Sequence, residues 1–408
     1  MPGYLHAKFG FSMASSLHGY PKVWVRQAVV KEIKGGHPWV FSKAIEKQEP
    51  IADGGLCHIY YQNTFLATGY YNSRSDIRIR ILSRRQSFID QNFWQSRLSE
   101  LLQQKKRWLS NTNAFRWVFG ESDGLPGLVI DVYDRYVVLQ IHTLGMEKQK
   151  EMIVRAICET FSPLGIYEKS DLSVREKEGL RRYEGLLEGE LPDEILIQEN
   201  EFRFWVNIKE GQKTGFFLDQ RENRKAILPF CEGQTVLNCF CYTGAFSVYA
   251  AKKASKVISV DVSQKALELA RKNFAVNGLG LQEHEFIEAD VFEFLPTFPK
   301  GEAQVIILDP PALAKNRLQR QKAQNAYLTL NAKAVEKLPD YGILISSSCT
   351  THVDHESFLN ILQQAAQKNH CHLKLLEARY QPFDHSYNLS FPQGRYLKFF
   401  ILQKWPFS

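Results

Sequence analysis

Two positions in this chain of 408 residues carry side chains fit for covalent chemistry. Asp309-Pro310-Pro311 follows the apolar run Val305 to Leu308, and Cys349 follows Ile343 to Ser346, within Ser346-Ser347-Ser348-Cys349-Thr350-Thr351. Two prolines stop a strand ladder and stiffen the backbone, so the acid is held in a fixed place at a strand end. A thiol and a carboxyl presented together suit one reaction on a pyrimidine. C5 of cytosine is a poor nucleophile. A thiolate added to C6 makes C5 enamine-like, and an acid at N3 takes up the developing charge. Cys349 is then the nucleophile and Asp309 the N3 partner. The plain alternative is that unpaired cysteines are usually small buried hydrophobes. Cys239 and Cys241, flanking Phe240, read that way; Cys349 differs by its place beside Asp-Pro-Pro.

A second series of residues also follows apolar runs. Asn238 to Gly244 (Asn-Cys-Phe-Cys-Tyr-Thr-Gly) closes the first strand, Asp261 the second and Asp290 the third. In an open parallel sheet, ligands bind beyond the carboxyl ends of the strands, where the strand order reverses. Asp261 is placed to accept both ribose hydroxyls of a nucleoside cofactor, and Asp290 to accept from an adenine amino group. Thr243-Gly244 allows close passage of the backbone. Each alone is equally a helix cap or a solvated turn; the series favours a nucleoside-cofactor site. A dinucleotide would need a G-x-G-x-x-G loop to seat its pyrophosphate. The turn here has one glycine and two large rings, Phe240 and Tyr242, which suit a sulfonium cofactor.

The elements that must position these groups fall into three regions. Residues 1–21 read as a loose leader. Residues 22–89 alternate short strands and turns, a β-rich module. Arg74, Arg78, Arg80, Arg84 and Arg85 stand there near Tyr60, Tyr61, Tyr70 and Tyr71, a composition suited to RNA or to an ordinary solvated strand face. Residues 90–199 predict helices over 93–109 and 146–161 around a hairpin, a connecting α+β domain. Residues 200–408 alternate strands and helices, which predicts a parallel sheet covered on both faces. The fold class expected is therefore multidomain α/β.

Composition narrows the class. The net charge of +7 fits a polyanionic partner but does not require one. Seven irregularly spaced cysteines read as reduced thiols in a cytoplasmic protein rather than a disulfide framework. No apolar stretch approaches the roughly 20 residues a membrane span needs. Cys349, His352 and His355, with His370, Cys371 and His372, lack the paired spacing of a zinc site, so no metal is expected. Nothing in the pattern indicates a homo-oligomer.

Several long motifs, in order, resemble bacterial large-subunit (23S) rRNA (cytosine-5) methyltransferases with an N-terminal PUA domain. They are Gly36-His37-Pro38-Trp39-Val40-Phe41-Ser42, Gly120-Glu121-Ser122-Asp123-Gly124-Leu125-Pro126-Gly127, Lys213-Thr214-Gly215-Phe216-Phe217-Leu218-Asp219-Gln220-Arg221, Leu237 to Gly244, and Asp309-Pro310-Pro311. The resemblance implies a PUA domain, a central α+β domain and a Rossmann-like class I methyltransferase domain that uses S-adenosylmethionine. It implies that Gln220 and the residues from Phe240 to Gly244 line the cofactor site, joined by Asp309 and Pro310. It also implies that Cys349 is the family's cysteine and that the substrate is 23S rRNA; since a base inside a helix must be unstacked to reach the pocket, protein-free or partly assembled rRNA is expected. The chain departs from the family at Ala312-Leu313 after Asp-Pro-Pro, at Thr350-Thr351 after the cysteine and at Ser386, which changes the acceptor pocket. Two other readings stand beside it: an amino-methyltransferase acting on guanine or adenine through Asp309-Pro310-Pro311, and an inactive RNA-binding assembly protein.

Overall fold

The structure, a computed structural model, describes residues 19–314 and 316–407. The expected leader lies outside the described residues except for its last three. One of those, Tyr20, is already anchored: its hydroxyl accepts from the Ile89 amide at 2.8 Å and its ring meets His58.

The N-terminal module is a six-stranded sheet built from β1 (Lys22–Val25), β2 (Trp39–Phe41), β3 (Ile45–Gln48), β4 (Leu56–Tyr61), β5 (Thr64–Tyr71) and β6 (Ile77–Ser83). The strands lie in the order β2-β6-β5-β4-β1-β3, with the short helix α1 (Val30–Lys34) beside them. The expected basic-aromatic group divides: Arg74, Arg84 and Arg85 are exposed and Arg78, Tyr60 and Tyr61 half-buried, while the rest is not a solvent surface. Tyr70 and Tyr71 are buried, and Arg80 is buried in a 2.9 Å ion pair with Glu178 of the next domain. A guanidinium removed from water needs such a partner. Cations lie over rings at three places in this sheet: Arg78 at 5.9 Å from Tyr71, Lys22 at 5.5 Å from Tyr60 and Lys47 at 4.6 Å from Trp24.

The central domain opens with α2 (Gln91–Trp108), capped by Asp90, whose carboxylate accepts from the Phe93 amide at 2.9 Å. The hairpin of β7 (Ala114–Phe119) and β8 (Leu128–Tyr133) follows, then β9 (Tyr136–Ile141), α3 (Leu144–Phe161), β10 (Gly165–Ser170), the one-turn α4 (Val174–Lys177) and β11 (Tyr183–Gly189). Their sheet has the order β11-β10-β9-β8-β7, and α2 and α3 share a core with it through Trp94, Leu98, Trp117 and Ile153. A further hairpin pairs β12 (Ile195–Glu199) with β13 (Phe202–Val206), so position 200 falls in its turn rather than between independent units.

From there the chain runs through α5 (Arg221–Ala226), β14 (Thr235–Cys239), α6 (Ala245–Ala251), β15 (Lys256–Asp261), α7 (Gln264–Val276), β16 (Glu285–Glu288) and α8 (Val291–Thr297). It continues with β17 (Val305–Leu308), α9 (Arg320–Lys337), β18 (Ile343–Ser348), α10 (His355–Lys368), β19 (Cys371–Arg379) and β20 (Lys398–Pro406). The near-continuous apolar strands β14, β17 and β18 are buried on both faces, as a parallel sheet covered by helices requires. The order is β16-β15-β14-β17-β18-β20-β19, with the last two pairings antiparallel. After β16 the chain crosses back to place β17 on the far side of β14, so the switch point lies between β14 and β17. Ser263 caps α7, whose Ala266, Ala270 and Phe274 form the buried stripe.

The three parts are locked by buried charge. Asp384, in the loop after β19, pairs with Arg221 of α5 at 2.7 Å, accepts from the Arg116 amide of β7 at 3.0 Å, and its carbonyl accepts from Lys105 of α2 at 2.8 Å. Glu199 binds Arg224 in a bidentate pair at 2.7 and 2.6 Å.

Candidate active site

The loops that follow β14, β15, β17 and β18 converge at the switch point on a cleft of about 860 Å³, solvent at its mouth included. The turn after β14 is its floor on the cofactor side. Phe240 and Tyr242 both have left-handed backbones, φ +59° and +49°. Non-glycine residues in that region are uncommon and persist where surrounding contacts enforce them. The contacts here are visible: the Tyr242 amide donates to Asp261 at 2.8 Å, and its hydroxyl accepts from the Gln212 amide at 2.8 Å. Asp261 also accepts from the Ser263 amide at 3.0 Å, so the carboxylate is fixed in orientation while lining the cleft. Thr243 lines it too, and its hydroxyl is buried with no hydrogen-bond partner.

On the acceptor side, Asp309 accepts from the Gln220 side-chain amide at 3.0 Å and from the Ser347 hydroxyl. Gln220 is itself held by Asn223, which donates to its carbonyl oxygen at 2.7 Å. Burial raises the Asp309 carboxyl above the ordinary range, offset in part by the Ser347 hydrogen bond. Cys349 lines the same cleft, and burial pushes its thiol up to about 11, with Lys213 drawing it back down and Asp309 and Asp219 opposing.

The cleft therefore gathers Gln220, Phe240, Tyr242, Thr243, Asp261, Asp309, Pro310 and Cys349. Three expected cofactor residues do not line it. Asn238 points under α6, where its amide donates to Ser247 at 2.8 Å. Gly244 serves helix packing: its φ is +75°, and a Cβ there would stand 2.8 Å from Cβ of Ala270. Asp290 caps α8, accepting from the Phe292 amide at 2.8 Å, the ordinary fate of an acid before a helix.

Other residues the motifs had given no role come to the cleft. Asp219 is buried on its wall, taking Lys213 at 2.7 Å and the Tyr396 hydroxyl at 2.5 Å on one oxygen, while the other oxygen has no partner. Beside the cleft, Lys398 is buried on β20, donating to the carbonyls of Thr350 at 2.8 Å and Tyr396 at 2.7 Å, and thus ties the loop after Cys349 to the segment that enters β20. Asp219 and Lys213 sit inside a motif visible in the sequence; Tyr396 and Lys398 carried no signal.

A fixed carboxylate at the end of β15, rings and an orphaned hydroxyl at the β14 turn, and an acid at the end of β17 fit a nucleoside bearing a sulfonium. The fold and site define a methyltransferase that uses S-adenosylmethionine, joined to an RNA-binding type of module. In agreement, residues 182–378 match the family described as S-adenosylmethionine-dependent methyltransferase, and residues 23–84 match the PUA-like domain. Two solved structures align along nearly the whole chain at 25% identity, covering 94% of this chain and 99% of theirs. One is a candidate S-adenosylmethionine-dependent methyltransferase from Streptococcus mutans, TM-score 0.80; the other is a candidate methyltransferase in complex with S-adenosylhomocysteine, TM-score 0.81. Ribosomal RNA large subunit methyltransferase I of Photobacterium profundum is 39% identical over 380 residues, 91% of this chain and 96% of that protein. Its namesake in Yersinia pestis has the same identity and coverage. The chain belongs to the ribosomal RNA large subunit methyltransferase I family.

Proposed function

We propose that this protein methylates C5 of a cytosine in large-subunit ribosomal RNA through a covalent adduct of Cys349 with C6. One observation carries the reading: Cys349 and Asp309, far apart in sequence, line the same cleft as the cofactor turn. The names of the relatives supply the RNA class, and the PUA-like module is consistent with it.

S-adenosylmethionine, when bound, supplies an electrophilic methyl group. The Cys349 thiolate adds to C6, and the ring electrons displaced toward N3 are met by the proton of Asp309, whose burial favours the protonated form. C5, now enamine-like, would accept the methyl group as its bond to the sulfonium breaks and S-adenosylhomocysteine leaves. Loss of the C5 proton to a base, expulsion of the Cys349 thiolate and return of the N3 proton to Asp309 restore neutral aromatic cytosine, the free thiolate and the acid. Gln220 and Ser347 keep Asp309 in place throughout. A cytosine stacked in a helix cannot reach this cleft, so the target is unpaired or is turned out of its stack, which favours protein-free or partly assembled rRNA.

The test is incubation of the purified protein with S-adenosylmethionine and unmodified large-subunit rRNA, with the nucleosides resolved by mass spectrometry. Production of 5-methylcytosine that disappears in Cys349→Ala, with cofactor binding retained, is the expected result. Methylated guanine or adenine that survives Cys349→Ala would overturn the thiolate mechanism and make Asp309 the centre of an amine-methylating site.

A further inference from the structure

A second cavity of about 600 Å³ lies between the central domain and the loop that precedes β20. It is walled by the rings of Phe119, Phe391 and Tyr396 and by His142, with Thr351 and Gln393 at exposed positions. Its shape depends on the central-domain motif Gly120 to Gly127, which the chemistry of the first cleft leaves unused. Gly394 marks how closely the two parts meet: a Cβ there would stand 2.6 Å from the Ser122 hydroxyl. The Trp39 ring packs behind Phe391 at 4.7 Å, and its indole donates to Glu121 at 3.1 Å, so the module's Gly-His-Pro-Trp motif braces the same corner.

We propose that this cavity receives a nucleobase of the RNA strand adjacent to the methylated nucleotide. Three observations support it, and the inference rests on the RNA-methylating reading of the neighbouring cleft. The two cavities are contiguous: Tyr396 lines the second while its hydroxyl binds Asp219 in the first, and Thr351 is two residues from Cys349. The walls are aromatic, and flat rings are what an unstacked base exchanges for its lost neighbours. His142 lines the cavity as a half-buried side chain; its Nε2 is shut off from solvent, and the other ring nitrogen, Nδ1, makes no hydrogen bond and is the polar group left to meet a base edge. Burial and the nearby Arg116, Arg175 and Arg80 hold that imidazole down at about 4, so it meets the base uncharged, as one donor and one acceptor. A target turned out into the Cys349 cleft would then be held in register by its neighbour next door.

Gln393→Trp fills the cavity from an exposed position, and His142→Phe keeps the ring while removing the polar nitrogens. Each is compared with wild type for melting temperature, S-adenosylmethionine affinity, kcat/KM on large-subunit rRNA, and ultraviolet crosslinking to that rRNA with S-adenosylhomocysteine present. Nucleotide adducts on Phe119, Phe391 or Tyr396 are expected in wild type and lost in Gln393→Trp. With cofactor affinity unchanged, kcat/KM should fall by about 10- to 100-fold, the range of one stacked base. If Gln393→Trp unfolds, His142→Phe alone decides, and a loss of about tenfold or more is expected for a hydrogen-bonded base edge. Adducts confined to other surfaces, or unchanged kcat/KM in the folded variants, would overturn the proposal. Adducts at these rings with no 5-methylcytosine from wild type would keep the pocket and discard the cytosine reading. Abundant 5-methylcytosine without them would do the reverse.

Discussion

Replacing Lys213 by glutamine should make the Cys349 thiol still harder to ionise, and alkylation can measure it. Burial raises this thiol from an ordinary 9.0 to about 11. At any pH below 9 that lowers the thiolate fraction about 100-fold relative to a free cysteine, about 2.7 kcal/mol. Lys213 is the leading group pulling in the other direction, and it is held at 2.7 Å by Asp219, whose own charge pushes the thiol up. Lys213→Gln therefore removes an attraction and exposes a repulsion, two effects of the same sign. The assay is iodoacetamide alkylation followed residue by residue in tryptic peptides, from pH 7 to 10, without cofactor. The Cys349 rate should climb about tenfold per pH unit with no plateau below pH 10. In Lys213→Gln it should be several-fold lower at every pH, and in Asp219→Asn higher. A plateau near pH 7 to 8, or a Lys213→Gln rate equal to wild type, would refute the account of how this thiol is controlled.

Four further outcomes follow from the structure. Asp261→Ala should weaken S-adenosylmethionine binding by about 10- to 100-fold in calorimetry, from loss of charge-assisted hydrogen bonds. Asp290→Ala should leave that affinity within about threefold while lowering stability by about 1 kcal/mol, the cost of a lost helix cap. Asp384→Ala strands the buried Arg221 guanidinium and should destabilise by about 3–5 kcal/mol, read as a lower denaturation midpoint. The Asp384 carboxyl is held well below the ordinary range by His385 and Arg221 against the opposing pull of burial, and Asp219 is held low by Lys213 and His385. Stability from both is present above about pH 4 and drains as pH falls toward their folded-state values; an acid titration followed by tryptophan fluorescence should show it.

Much of the fold was legible along the chain. The apolar runs that became β14, β15, β17 and β18 announced themselves by length and flanking turns, because a strand buried on both faces has little choice of residue. Ser263 marked the start of α7 through its capping side chain, a local effect that needs no tertiary context. The hairpin of β12 and β13 was missed at its turn, since its strands belong to a two-stranded sheet with no long apolar run of its own.

The site divided along the same line. Residue type and position after a strand were enough to name Asp261, Asp309, Cys349, Phe240, Tyr242 and Thr243, which line one cleft because the parallel strands end at one edge of the sheet. The same rule also named Asn238, Gly244 and Asp290, which do not line it. A strand end also supplies helix caps, helix contacts and a buried face, and only the packing of α6, α7 and α8 decides which of these each residue serves. The basic strand of the first module shows the limit most plainly. Alternation placed Arg80 on one face of β6, but whether that face meets water or Glu178 depends on a domain interface formed by residues about a hundred positions later. Local sequence sets the periodicity of burial; long-range packing sets what lies opposite. Asp219, Lys213, Tyr396 and Lys398 around the thiol, and the second cavity beside it, exist only because three domains close on one another.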